Sequence, residues 1–276
     1  MKRALSFLLF SLLSFSLFAG GGWINEKGHG FAMLSQRYIG GSFYAFNNAS
    51  IYTTPLAGVY TTNLYAEYAL TNKVEISTFF PFLTGAFMQA GTDELGAVYP
   101  EDAAFGLGDM DVAIKYGLLS GGLNLAVSGL FGLPLGDNQA GETNRLMLGD
   151  GEFNQMIKLD ASVGLGAKWY GTFMVGFNHR TQGFSEEFHS SLEIGRNGDK
   201  LLALTKFYLL KSMNNGNANV ASLPGIYSNN LEYFALNPSF LYKMGNGGIN
   251  LDLGFALHLR NIIAAPSLSL GYFLKF

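Results

Sequence analysis

The side chains best placed to do chemistry in this chain are Glu67, Glu75, Asp109, Asp111, Lys115, Lys158, Asp160, Asn178, Arg180, Glu193, Asp252, His258 and Arg260. Each falls on the polar parity of an alternating segment. A set like this, gathered on one face of a sheet, can line a water-filled path and sort solutes by charge and size. It can also pair internally as an ion network, because charges outside bulk water must be paired or hydrated. The two readings are compatible. Asp109 and Asp111 sit two apart and could hold a hard cation, or form a salt-bridge ladder with Lys115. Gly-Asp-Gly-Glu at 149–152 resembles a calcium loop but lacks further spaced acidic ligands. The four histidines are His29, His179, His189 and His258. Nucleophilic catalysis needs a base and a nucleophile within hydrogen-bond reach. His179 is followed by Arg180, Thr181, Gln182 and Gly183, so no serine is placed beside it. The residues therefore argue against an enzyme. With no Gly-rich phosphate cradle opening a helix, they also point to no cofactor.

Those side chains need an alternating scaffold. In 110–118, Met110, Val112, Ile114, Tyr116 and Leu118 alternate with Asp111, Ala113, Lys115 and Gly117. In 249–260, Ile249, Leu251, Leu253, Phe255, Leu257 and Leu259 alternate with Asn250, Asp252, Gly254, Ala256, His258 and Arg260. Lys158, Asp160 and Ser162 repeat the scheme. Successive strand residues point to opposite faces, so each segment has one apolar and one ionisable face. The final stretch, Ala265 to Phe276, carries Leu268, Leu270, Tyr272, Leu274 and Phe276 on one face. A soluble sheet edge of that kind would aggregate, whereas the closing strand of a membrane barrel meets lipid and is paired on both edges. A charge on the lipid face would cost about 2–4 kcal/mol near the midplane, so the ionisable face is the lumen.

Composition agrees. Of 276 residues, 49% are hydrophobic and only 13% charged, with a net charge of -3 and no Cys. A soluble domain has about a quarter charged residues. No basic excess suggests nucleic acid, and no disulfide framework is available. Lys2 and Arg3 precede an apolar run from Ala4 to Phe18 that ends in small residues. This describes a secretory signal peptide over 1–19, with 20–276 as a single barrel domain. No later run is long enough for a membrane helix.

Twelve strands are expected: 28–39, 58–70, 74–84, 106–119, 123–135, 156–167, 170–180, 187–194, 201–211, 231–243, 249–259 and a closing strand to 276. Short turns alternate with longer polar loops, as in an up-and-down outer-membrane barrel. Strand nine is the least regular, since Lys206 is in phase with Leu202, Leu204 and Tyr208, which suggests a bulge. Gly20–Gly28 reads as a leader too small to plug a pore. The even strand number puts both termini on the side of the short turns, which faces the periplasm in this class. Solutes would enter between the loops Asp137–Gln155 and Asn214–Asn230.

Gly-Leu-Gly-Asp-Met-Asp-Val-Ala-Ile-Lys-Tyr-Gly-Leu at 106–118 resembles a motif of the outer-membrane β-barrel family labelled as transporters of the phenol meta-degradation pathway. Similar stretches are 64–73, 132–136 and 149–155, and the resemblance extends to the terminal Phe276. The resemblance implies an all-β outer-membrane channel that passes small, hydrophobic or aromatic compounds. Expected partners are outer-membrane lipids, a small-molecule solute and the barrel-assembly machinery, the last through the strand ending in Phe276. The alternative is a closed barrel acting through its outer loops as a structural, adhesive or envelope-assembly protein.

Overall fold

A computed structural model of the chain describes residues 21–46, 48–217 and 227–276. The 1–19 signal segment, Asn47 and most of the second entrance loop lie outside them. The described residues build twelve long strands: β1 Gly30–Ala45, β2 Ile51–Ala69, β3 Val74–Met88, β4 Met110–Leu119, β5 Leu123–Leu133, β6 Asn154–Gly166, β7 Trp169–Arg180, β8 Glu187–Asn197, β9 Leu201–Ser212, β10 Glu232–Met244, β11 Gly247–Arg260 and β12 Ser267–Lys275. Each pairs antiparallel with its chain neighbours. The cycle closes where β12 lies against β1, from Phe31↔Lys275 to Ile39↔Ser267. Every strand therefore has two hydrogen-bonded neighbours and the sheet has no free edge, the condition for crossing hydrocarbon.

The burial pattern is inverted relative to a soluble protein. Ile114, Tyr116, Leu159, Phe173, Leu192, Leu251 and Leu270 are exposed on the outer wall. Glu67, Glu75, Asp160, Glu187 and Glu193 are buried inside. Each large apolar side chain moved from water to hydrocarbon stabilises the embedded barrel by about 1.5–3 kcal/mol. An exposed band of this size is tolerable only against lipid or a partner surface.

The start of β1, the end of β12 and the five tightest turns share one end of the barrel. There Gly30 N donates to Phe276 O at 2.8 Å and Lys275 N to Asn246 O at 2.7 Å. Phe276 stacks on Tyr68, with centroids 6.3 Å apart. The longer connections cluster at the opposite, loop end.

Three differences from the sequence expectation have local causes. First, β1 and β2 extend to Ala45 and Ile51, and the polar loop contracts to a turn in which Ser50 N donates to Asn48 Oδ1 at 3.0 Å. Second, β4 starts only at Met110, because upper β3 pairs instead with a separate short strand, Asp102–Gly106. The switch falls at Pro81, which has no N–H to donate. Opposite it, the β2–β3 register shifts at Thr62/Asn63, and Gly108 N donates to the Pro81 carbonyl at 2.8 Å. Third, β9 has no bulge: its register runs unbroken from Leu201 to Leu210 against β10. Leu202 and Leu204 belong to an interior cluster with Phe31, Tyr170, Leu241 and Phe273. Lys206 is in phase with leucines because the turn end of the lumen is itself apolar.

Candidate functional site: a chamber inside the barrel

The leader does not hang free. Running backward from β1, Gly28 N donates to Ala69 O at 2.9 Å and Lys27 N to Asn72 Oδ1 at 2.8 Å. Asn25 donates twice to Glu75 Oε2, through N at 3.0 Å and Nδ2 at 2.7 Å. Trp23 meets Tyr170 edge to face, 5.7 Å between centroids, and Gly22 N donates to Ser162 Oγ at 2.9 Å. A Cβ on Gly22 would stand 2.3 Å from the Asn124 carbonyl oxygen, so only glycine fits there. The segment thus climbs inside the barrel and floors the lumen above the Phe31–Phe273 cluster. The expectation that it is too small to obstruct a pore is corrected. The eight described residues Gly21–Gly28, with a tryptophan among them, occupy the lumen where the barrel walls already carry Tyr170, Leu202 and Leu241.

Above this floor is a cavity of about 470 Å³, within the range of small-molecule sites. Gly21 lines it below, and Tyr227, Ser228 and Asp150 line it toward the loop end. Its walls combine Lys158, Asp160, Asp111, Lys206 and Glu193 with Tyr65, Tyr208, Met156, Met174 and Leu210.

Arg180 organises the loop side. Its Nε donates to Glu152 Oε1 at 2.6 Å, Nη1 to Glu187 Oε1 at 2.7 Å and Nη2 to Asp150 Oδ2 at 2.9 Å. The guanidinium also lies 4.3 Å over the Phe184 ring. A planar guanidinium spreads its five N–H donors over three nitrogens in a fixed fork, so it can span carboxylates set farther apart than the single nitrogen of an ammonium can reach. Both acids of the 149–152 motif are therefore ligands of an arginine. Glu187 also reaches His189 Nε2 at 3.1 Å, and His189 Nδ1 meets Tyr208 OH at 2.6 Å. His179 lies outside this group, with its Nδ1 2.9 Å from Glu186 Oε1.

The remaining expected residues divide. Lys115 reaches Glu75 at 2.6 Å and Glu67 at 4.0 Å, beside the leader. Asn178 donates to Asn154 Oδ1 at 2.8 Å. Glu193 accepts from Tyr170 OH at 2.9 Å and pairs with Lys206 at 3.2 Å. Asp252 is bonded by Ser239 and by Asn250 Nδ2. His258 and Arg260 do not join the chamber. The β10–β11 ladder steps from Phe234↔His258 to Ala235↔Ala256, so Leu257 is an extra residue and the alternation is reset. Leu259 then packs inward with Tyr208 and Tyr233, leaving His258 exposed. Arg260 pairs at 2.6 Å with Glu232, whose second cation, Lys211, has a side chain 58% exposed.

Asp109 lies just before β4 and fastens the loop over 134–153: its Oδ1 accepts from Gly136 N at 2.8 Å and its Oδ2 from Asp150 N at 2.7 Å. Burial, followed by the neighbouring Asp150 carboxylate, pushes Asp109 up from an ordinary 3.8 to about 7 against those two bonds. The docked loop therefore holds a proton that the released loop gives up. That contribution is full below about pH 4 and is lost as pH rises through about 7. Hydrogen-exchange protection at Gly136 and Asp150, corrected for intrinsic rates, is expected to fall between pH 6 and pH 8. Asp109→Asn should flatten the change. Equal protection at both pH values in the unmodified protein would refute the coupling.

The fold matches solved outer-membrane barrels at low sequence identity. An outer membrane channel from Pseudomonas putida F1 aligns with a TM-score of 0.57 and 13% identity, covering 94% of this chain and 100% of that chain. The NanC porin aligns at 0.52 and 10% identity, covering 88% and 100%. The KdgM porin in complex with disordered oligogalacturonate aligns at 0.50 and 7% identity, covering 89% and 99%. No family model matches the sequence, and a search of curated proteins finds no match. The chain has the closed antiparallel β-barrel fold of these outer-membrane proteins.

Proposed function

We propose that this chain is a passive outer-membrane channel for small solutes, with its turn end and both termini in the periplasm. The observation that carries the reading is the solute-sized chamber between the leader below and the loops above, walled by both charged and tyrosine side chains. Fold analogy alone would not distinguish a channel from a plugged barrel. The tyrosine and methionine walls suit compounds with an aromatic or aliphatic part, the class that the sequence resemblance implies. The 1–19 segment would export the chain, and β12 ending in Phe276 would engage the barrel-assembly machinery. The competing reading, a closed barrel acting through its surface loops, draws on the same floor and ceiling.

Planar-bilayer recording of the refolded barrel decides between them. Stepwise, salt-dependent current supports the channel, and silence from a verified folded barrel removes it. Lys115 borders the leader, so a path through the floor passes it. Lys115→Ala leaves Glu75 and Glu67 without their cation and should move the reversal potential toward greater cation preference. An unchanged reversal potential would take Lys115 out of the path.

A further inference from the structure

Most charges around the chamber are already matched. Arg180 is shared among three carboxylates, and Lys206 closes on Glu193. Lys158, Asp160 and Asp111 are left. All three line the cavity, and none makes a side-chain hydrogen bond or ion pair with a described residue. Residues 218–226 contain no ionisable side chain that could supply one. Asp160 is only 6% exposed. Charges held away from bulk water that attract one another only across a gap are less well satisfied than contacting pairs, and a bound ligand that bridged the gap would relieve that cost.

Geometry explains why they do not satisfy one another. Lys158 and Asp160 are alternate residues on the inner face of β6, so their backbones stand about 6.6 Å apart and their side chains project in parallel. The neighbouring strand residues opposite them are Ser128 and Ala126 on β5, and Gly176 and Met174 on β7, and these offer no charge. Asp111 comes from β4, on the far side of β5. The result is one ammonium and two carboxylates without a contacting partner, in a space also lined by Tyr65, Tyr208 and Met174 and by the already paired Lys206 and Glu193. Two carboxylates beside an ammonium are a poor divalent-cation site, since hard cations collect six or more oxygens.

We propose that the chamber binds a small zwitterion with an apolar side group: Lys158 takes its carboxylate, Asp160 and Asp111 take its ammonium, and the tyrosine–methionine wall takes the side group. An α-amino acid carries both charges on one carbon and can bridge the gap along β6 with charge-assisted hydrogen bonds at each end. The inference rests on the channel reading only in that solute must reach the chamber.

The test is equilibrium dialysis of the full, folded barrel in detergent against labelled L-phenylalanine, phenethylamine and 3-phenylpropionate. L-phenylalanine should bind at least about tenfold more tightly than either single-charge analogue. Lys158→Met should weaken L-phenylalanine by about tenfold or more and leave phenethylamine unchanged or tighter. Asp160→Asn should weaken L-phenylalanine and phenethylamine but not 3-phenylpropionate, and it carries the test if Lys158→Met fails to fold. Equal binding of all three probes, no binding, or indifference to both substitutions overturns the proposal. Dialysis needs no current, so a barrel that conducts but does not bind refutes the chamber site alone. A barrel that binds without conducting supports the site and refutes the channel alone.

Discussion

A barrel lacking residues 21–27 is expected to conduct at least about threefold more than the full barrel, because current through a water-filled path is set by its narrowest section. The leader crosses the lumen between the chamber and the turn end, tied by Gly22 to Ser162 and by Asn25 to Glu75. None of its contacts belongs to the ladder that closes the barrel, since β1 begins at Gly30 and pairs with β2 and β12 independently. Deletion should therefore open the floor without unfolding the wall. Glu75 keeps Lys115 as its partner after Asn25 is gone. Gly22→Val offers a milder version. Its side chain cannot coexist with the Asn124 carbonyl 2.3 Å from the Cβ position, so the leader must lift. Conductance should fall between the two parents. Single-channel recordings at fixed salt read the result, with heat-modifiable gel mobility as the folding control. Identical conductance in all three proteins would mean that ions bypass the floor.

What the sequence disclosed and what it hid follow from the range of the interactions involved. Alternation is local, so the strands carrying Asp111, Lys115, Lys158 and Asp160 could be placed on the lumen face from neighbouring residues alone. The terminal run to Phe276 likewise announced a strand without free edges. Leader docking is a tertiary event. Nothing near Gly22 or Asn25 indicates that Ser162 and Glu75, 140 and 50 residues away, will hold them. The bulge at Leu257 was equally hidden, because Ile249–Arg260 alternates without a break in the sequence and the extra residue arises only against β10. There the inference from parity assigned His258 and Arg260 to the wrong side. Lys206 failed in the opposite sense. Its apolar phase was real, but the lumen it faces is apolar at the turn end and ionic above.

Arg180→Met should release the loop over 134–153 while leaving the barrel wall folded. The substitution keeps an unbranched side chain of similar reach and removes the charge on which Asp150, Glu152 and Glu187 converge within 2.9 Å. Breaking a buried ion pair from one side costs about 3–5 kcal/mol, since the stranded charge has no water to return to. Here three acids are stranded together, and their mutual repulsion adds to that cost. Glu187 is fixed in β8 and cannot leave. Asp150 and Glu152 belong to a loop that can swing outward into solvent, so relief should come through the loop. Amides from Leu148 to Phe153 should lose hydrogen-exchange protection by two or more orders of magnitude, consistent with about 3 kcal/mol of lost docking energy. Strand amides in β6 and β7 should be unaffected. Exposing those carboxylates at the mouth should also increase cation preference in the same recordings. Arg180→Lys should give most of the same loss, because the donors of an ammonium radiate from one nitrogen and cannot span the three carboxylates now held by Nε, Nη1 and Nη2. Adding Glu152→Gln to Arg180→Met should restore part of the protection by removing one of the opposed charges, and full protection in Arg180→Met itself would show that Asp102 and Asp109 hold the loop without the arginine.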